Sequence, residues 1–241
     1  MKASILITLI ALSGLPTSPA SLITTPVGNT SVEGNTNNVF PFDLGATTQR
    51  YQQVYAASEF AILAGGGEFI TQLAFRPDNG SGGAFSSTLP GIRIDLSTVS
   101  VGPDALSATY AINVGGNDVV VYGGATGAPL TLSSSFTGPA GGPKDFDIII
   151  TLTTPFFYNP AAGNLLLDVR NFGGGSTTTF DVQASADSIS RVFNSDVNLA
   201  TGTADTIGLV TRFTTTTVPE PATFSLLGLG ALLLAARRRS A

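Results

Sequence analysis

The stretch that decides the fold is DFDIIITLT, residues Asp145–Thr153. Every second residue from Phe146 to Leu152 is apolar, and Asp147 and Thr151 lie between them. Successive side chains of a strand point to opposite faces of a sheet. This period of two therefore predicts a half-buried β-strand.

The same alternation recurs along the chain. Gly91–Ser97 and Phe180–Gln183 alternate apolar and polar residues, and Asn164–Phe172 is dense enough in apolar residues to predict a central strand. Clusters of Gly, Pro and Asn, such as Pro77–Gly80, separate these runs and favour turns. We predict an all-β body, an antiparallel β-sandwich or jelly roll, over residues 21–213.

An uncharged run, Ala222–Ala236, lies near the end of the sequence and is followed by Arg237, Arg238 and Arg239. A helix rises ~1.5 Å per residue, so this run would extend about 22 Å, against ~30 Å for the hydrocarbon core of a bilayer. We predict a short transmembrane helix that resides only transiently in the inner membrane. The arginines form a stop that keeps the C-terminus cytoplasmic.

Two prolines precede this run. Pro219 and Pro221 are excluded from a helix interior, and each favours an extended conformation of the residue before it. Val218, Pro219, Glu220 and Pro221 are therefore predicted to form an exposed, extended segment that a processing enzyme can bind. Residues 214–217, which are all threonine, are interpreted as a polar linker between the body and this segment.

The N-terminal segment has the pattern of a secretory signal peptide. Lys2 precedes an apolar core, Ala3–Leu12, and Ser18 and Ala20 supply the small residues that signal peptidase requires. We predict a signal helix within residues 1–20, cleavage after Ala20 and export through the secretion machinery. The alternative is an uncleaved N-terminal anchor.

The tail, residues 218–241, resembles the PEP-CTERM sorting signal, because Pro-Glu-Pro, a short apolar span and an arginine cluster follow one another in order. The resemblance implies recognition of Pro219–Pro221 by an exosortase, a membrane transpeptidase of bacteria that make extracellular polysaccharide. It implies that the mature domain reaches the cell surface or the extracellular space. An ordinary tail anchor that carries the tripeptide is the alternative.

Composition excludes several kinds of function. Without the two ends the body keeps seven basic and sixteen acidic residues, a net charge of −9, so no nucleic-acid partner is expected. The chain has no Cys, His or Trp. The absence of Cys and His excludes the triads and thiol nucleophiles that depend on them. We predict that the protein is not an enzyme.

One pair of carboxylates fits the spacing of a glycosidase. Asp145 and Asp147 would project from the same face of a strand about 6 to 7 Å apart, and glycosidases need two carboxylates at about 5 to 9.5 Å. A solvated outer face has the same pattern, so the pair is equally well explained without catalysis.

Two oxygen-rich turns are candidates for calcium. Asp78 and Asn79 open one, and Asp118 lies in the other. Hard cations prefer such oxygen ligands, but Asn, Asp and Gly also favour turns without any ion. No other metal or cofactor is expected.

Tyrosines could bind sugar, because their rings combine an apolar face with a polar tip. Tyr51, Tyr55 and Tyr158 are the candidates for contact with extracellular polysaccharide. Of the adjacent Phe156 and Phe157, which point to opposite faces if they lie in a strand, one is expected to be exposed.

The function that these features favour is an exported structural or adhesive protein of the cell surface or extracellular matrix. A carbohydrate-binding module is the alternative and would show an exposed aromatic platform. A glycosidase-like enzyme is a third candidate and would need two buried carboxylates in one cleft.

Overall fold

The computed structural model describes residues 20–63, 66–185 and 188–217. The predicted signal helix and Ser18, the segment Val218–Pro221, the predicted transmembrane helix and the predicted arginine stop all lie outside these residues. Ala20, the predicted last residue of the signal peptide, is described and exposed.

Strands dominate the described residues, because β-branched and aromatic residues alternate along them. They comprise fourteen strands: β1 Ser21–Thr25, β2 Thr36–Asn38, β3 Gln49–Tyr55, β4 Glu68–Phe75, β5 Phe85–Val99, β6 Val119–Tyr122, β7 Ala128–Ser134, β8 Ile148–Tyr158, β9 Asn164–Asn171, β10 Phe180–Ala184, β11 Ile189–Asn194, β12 Thr203–Asp205, β13 Ile207–Leu209 and β14 Thr211–Thr216. A single turn of α-helix, α1, spans Tyr110–Asn113. Short 3-10 helices occur at Val27–Asn29, Ala57–Leu63 and Pro160–Ala162.

The strands form three sheets in which the pairs are antiparallel. One has the order β1-β14-β4-β8, a small one has β13-β10-β2, and the largest has β12-β11-β3-β9-β5-β6, with β7 paired to β5. The all-β antiparallel prediction is confirmed, and these sheets fit a β-sandwich. The predicted central strand is β9, which lies between β3 and β5.

The core lies between the inner faces of the two larger sheets. Tyr55 of β3 packs edge-on against Phe213 of β14, with ring centroids 5.1 Å apart. Phe60, from the 3-10 helix, contacts Phe213 at 5.2 Å and Tyr158 at 4.9 Å. All four rings are fully buried. Because these contacts join strands of both sheets, the aromatic cluster fixes how the sheets face each other.

The stretch that opened the sequence analysis forms the start of β8. Phe146, Ile148, Ile150 and Leu152 are buried, as the alternation predicts. The strand itself begins only at Ile148, and Asp145 therefore lies in the preceding loop.

The predicted threonine linker is wrong. Thr214 to Thr216 belong to β14, which pairs with β1 on one side and β4 on the other. Thr215 is fully buried. Threonine is β-branched and favours strands. The linker prediction did not consider that this threonine run could pair with other strands. Thr217 alone separates the strand from Val218.

Helices play a small part in the described residues. Among residues 20–63, 66–185 and 188–217, no helix is long and apolar enough to cross a membrane.

We expect Phe213→Ala to lower the free energy of unfolding by about 3 to 5 kcal/mol, because it removes a ring that the core cannot refill. Phe157→Ala, at a ring that is 41% exposed, should cost about 1 kcal/mol or less. Urea denaturation followed by circular dichroism measures both. Equal losses in the two variants would contradict the assignment of Phe213 to the centre of the core.

Candidate functional site

The three tyrosines predicted to contact carbohydrate are buried. Tyr51, Tyr55 and Tyr158 are all 0% exposed, so the prediction of an accessible platform at these rings is wrong. Odd-numbered residues of β3 face the core, which the period of two alone did not reveal. Burial raises the pKa of Tyr51 to about 12 and that of Tyr55 well above its usual value. Both phenols therefore stay protonated and act as core hydrogen-bond groups.

The exposed aromatic of β8 is Phe157, whereas Phe156 is buried. This confirms that the two adjacent rings point to opposite faces. Phe157 packs edge-on against Phe69 of the neighbouring strand, with centroids 5.4 Å apart. The two residues are opposite each other on β4 and β8 of the four-stranded sheet.

The two candidate glycosidase carboxylates accept hydrogen bonds within the loop before β8. Asp145 is exposed and accepts a hydrogen bond of 2.9 Å from the Thr137 hydroxyl. Asp147 accepts one of 2.8 Å from the backbone N–H of Ser135. They do not lie side by side on a strand, because the strand starts after both. Their hydrogen bonds hold the loop that connects β7 to β8.

A carboxylate cluster forms around one calcium candidate. Oxygens of Glu33, Asp78 and Asp181 lie within 4.8 Å of one another. The chain brings them together through the pairing of β2 with β10 and through the turn that follows β4. Arg76 lies beside them and donates a 2.6 Å hydrogen bond from Nε to Asp181.

Hydrogen-bond donors of the protein already occupy much of this cluster. Oδ1 of Asp78 accepts hydrogen bonds from the backbone N–H groups of Gly80 and Ser81 and from the Ser81 hydroxyl. Asp181 also accepts one from the backbone N–H of Gly34. Asp78 and Asp181 are therefore explained by a turn and a buried ion pair, whereas Oε2 of Glu33 is buried without a hydrogen-bond partner among the described residues.

The other two calcium candidates do not add side chains to this cluster. Asn79 contributes its backbone N–H, which donates to Glu33 at 2.8 Å. Asp118 lies at the seven-stranded sheet, where it interacts electrostatically with Asp95 and Asp168. The three predicted residues thus form no common site.

The Arg76–Asp181 pair is almost wholly buried, with side-chain exposures of 1% and 0%. Burial raises the pKa of Asp181 to about 6, Arg76 opposes this shift, and Glu33 adds to it. The carboxyl is therefore ionised at neutral pH and pairs with the guanidinium. Arg76 also donates to the backbone carbonyl of Val32, which ties the loop before β2 to the end of β4.

A second charged group lies on the outer face of the seven-stranded sheet. Asp168 of β9 accepts two hydrogen bonds from Arg50, at 3.2 and 2.7 Å, and one from Gln52 at 2.8 Å. The amide of Gln52 in turn accepts from Asn113, which lies in α1. This network fastens the segment around α1 to the sheet, and the guanidinium of Arg50 stacks on the Tyr110 ring at 4.5 Å.

Three arginines form a row across this face. Arg50 is opposite Arg170, and Arg170 is opposite Arg93, on the adjacent strands β3, β9 and β5. The single N–H at Nε of Arg93 is shared between the two oxygens of Asp95, and Nη2 donates a further hydrogen bond to the same carboxylate. Sequence reasoning missed this row, because its members are separated by dozens of residues and only the strand register aligns them.

The two ends of the described body lie side by side. Ser21 at the start of β1 is opposite Thr215 near the end of β14. Ala20 and Thr217 therefore emerge at the same end of the four-stranded sheet. An all-β body is thus followed, one residue after its last strand, by a proline-containing apolar tail.

The comparison with known families identifies that tail. Residues 217–239 match the PEP-CTERM protein-sorting motif, as the sequence predicted. The motif implies an exported protein with a C-terminal sorting signal and an exosortase as its processing partner. No curated protein matches the chain significantly. The match covers the tail and leaves the body, apart from Thr217, without an assigned role.

The buried pair gives a direct test of the site geometry. Asp181→Asn should lower the free energy of unfolding by about 3 to 5 kcal/mol, because it removes the carboxylate that forms the direct ion pair with the buried Arg76 guanidinium. Asp145→Asn, at an exposed carboxylate, should cost about 1 kcal/mol or less. Thermal and urea unfolding of the two variants provide the comparison. A small loss for Asp181→Asn would mean that water or the neighbouring carboxylates of Glu33 and Asp78 compensate the guanidinium.

Proposed function

We propose that this protein is a structural or adhesive component of the cell surface or extracellular matrix, delivered there by exosortase processing of its tail. The observation that carries the proposal is the sorting motif at residues 217–239, joined directly to a folded β-body. The proposal assigns the protein the role of a substrate of the sorting enzyme and assigns the body no catalytic step.

The route of delivery follows from the two ends of the sequence. The signal peptide within residues 1–20 directs export, and signal peptidase cuts after Ala20. The apolar run Ala222–Ala236 then holds the precursor in the inner membrane, and Arg237–Arg239 stay on the cytoplasmic side. Val218–Pro221 is presented outside, where the exosortase binds it. The body supports this route because its first and last strands are neighbours.

The character of the body supports a structural role. Its charged clusters are largely internal ion pairs, such as Arg76–Asp181 and Arg50–Asp168. Its tyrosine candidates are core residues. With no cysteine in the chain, the body outside the cell depends on sheet pairing and core burial for its stability.

Replacement of Pro219, Glu220 and Pro221 by alanine should stop processing. The alanine variant loses the rigid extended conformation that the prolines impose, and we expect the full-length precursor to accumulate in the membrane fraction. Immunoblotting of membrane and extracellular fractions measures this. Wild-type protein in a strain without exosortase is the matched control and should give the same distribution. Normal export of the alanine variant would refute the sorting role.

The short connection to β14 gives a second test. Three residue steps separate Thr216 from Pro219, which allows at most about 10 Å, so the folded body lies close to the bound enzyme. A body this close restricts the access of the enzyme to the motif. Insertion of ten Gly/Ser residues between Thr217 and Val218 should relieve this restriction and speed processing in a pulse-chase experiment. Ten Gly/Ser residues inserted in the exposed turn at Gly116 are the control and should leave the rate unchanged. Slower processing of the tail insertion would show that the enzyme uses the body as part of its recognition surface.

A further inference from the structure

Exposed apolar side chains line a cleft between β1 and the 3-10 helix Ala57–Leu63. This β1 cleft has a volume of about 430 Å³ and is lined by Leu22, Val27 and Ile62. These three side chains are 60%, 64% and 71% exposed. The same cleft gains further apolar surface from Ile23, Ala61 and Phe146. Contiguous apolar surface of this kind marks a place where a protein meets another molecule or a membrane.

The two charged side chains that line the β1 cleft already have partners. Glu59 accepts a hydrogen bond from a backbone N–H. Arg212 donates one of 3.0 Å to the backbone carbonyl of Phe146, and its guanidinium stacks on the Phe146 ring at 4.6 Å. Just outside the lining, Asp145 and Arg76 act on Arg212 with opposite signs. The lining therefore offers an incoming molecule apolar surface and no net charge.

The β1 cleft begins where the chain leaves the body. Leu22 is opposite Thr214 on β14, shortly before Thr217, the last described residue of the tail end. The apolar run begins at Ala222, and the eight residue steps from Thr214 to it span at most about 29 Å. In the proposed route this run is held in the inner membrane. The β1 cleft is therefore tethered close to lipid, which gives it a high effective concentration at the bilayer.

The position of β1 in its sheet leaves the cleft open to a broad surface. β1 stands at the end of the four-stranded sheet, and among the described strands it pairs with β14 alone. One wall of the cleft carries Leu22 and Val27, and the other carries Ile62. A flat partner that lies along this margin of the body can contact both walls at once.

We propose that the β1 cleft is the surface through which the precursor lies against the membrane, with Leu22, Val27 and Ile62 in contact with lipid. This inference rests on the proposed function, because it needs the tail in the bilayer. Apolar side chains at such a surface reach about 5 to 10 Å into the boundary between headgroups and acyl chains. The contact holds Val218–Pro221 at the membrane surface, where a membrane enzyme can bind it.

A second copy of the chain is the other partner that an end strand favours, since unpaired strand edges associate with one another. Two observations favour lipid. The tail tethers every precursor to the bilayer, whereas two copies must first meet. The lining carries no net charge, which suits a partner made of hydrocarbon.

A single tryptophan can report the contact, because the chain has none of its own. The precursor, purified from a strain without exosortase, is reconstituted in phosphatidylcholine vesicles. The acyl chains carry bromine close to the headgroups, where it quenches tryptophan on contact. The emission of the Ile62→Trp variant should fall about twofold or more against vesicles without bromine. Ile112→Trp is the matched control, at a side chain that is 72% exposed on α1, and its emission should not change.

A charge placed in the cleft gives a second measurement. Leu22→Asp, combined with Ile62→Trp, should restore most of the emission, because a carboxylate is costly at the lipid boundary. Leu199→Asp adds the same charge between β11 and β12, at a side chain that is 48% exposed, and should leave the quenching unchanged. Circular dichroism checks that each variant keeps its native fold. The quenching should persist as salt rises, because salt screens charges and leaves apolar contacts in place.

The outcomes separate this proposal from the sorting route. Precursor that does not float with the vesicles would overturn both, because the tail would not hold it in the membrane. Precursor that floats while Ile62→Trp is unquenched, or is quenched no more than Ile112→Trp, would overturn the membrane contact and leave the sorting route intact. Emission of Ile62→Trp that ignores bromine but shifts with the number of protein molecules per vesicle would assign the β1 cleft to a second copy of the chain.

Discussion

The pairing of β14 with β1 and β4 is the constraint on which the rest of the structure depends. It joins the first and last strands of the body, through Ser21 opposite Thr215. It also places Phe213 in the aromatic cluster between the sheets. The four-stranded sheet is therefore incomplete until the chain has been made as far as Thr216. In the proposed route, a body closed by its last strand and followed at once by the sorting motif lies close to its sorting enzyme.

Buried ion pairs specify the sheets of a body that has no cysteine. Arg76, directly after β4, pairs with Asp181 of β10, and the buried Arg191 of β11 pairs with the partly exposed Asp205 of β12. Such pairs add little net stability compared with apolar packing, but a wrong strand register would leave a charge buried without its partner. The acidic composition thus has two parts. Carboxylates inside the body favour one strand register, while exposed ones such as Asp145 add negative charge to the surface.

Sequence analysis predicted the strands that show a local pattern of apolar residues. It failed where the structure depends on pairing between distant segments. Alternation revealed β8, and apolar density revealed β9, because each strand buries residues at a period that can be read directly. Tyr51 looked like a ligand contact because a period of two does not identify the inner face. Thr214–Thr217 looked like a linker because strand pairing with residues about 190 positions earlier leaves no local sign. Register alone brings Glu33 to Asp181 and aligns the three arginines.

The docking of β14 and the binding of the tail by the enzyme must also follow in order. Pairing between distant segments is slow, because the chain must first lose the entropy of closing a long loop. β14 can dock on β1 and β4 only after the rest of the body has been exported. In the proposed route the apolar run keeps the end of the chain at the membrane during that interval. In that route a run shorter than the hydrocarbon core of a bilayer is adequate, because it has to hold the chain only until the body is closed and the enzyme has bound Pro219–Pro221. In the proposed route the short run keeps the end of the chain at the membrane while β14 docks, and the short connection after Thr216 keeps the closed body beside the enzyme.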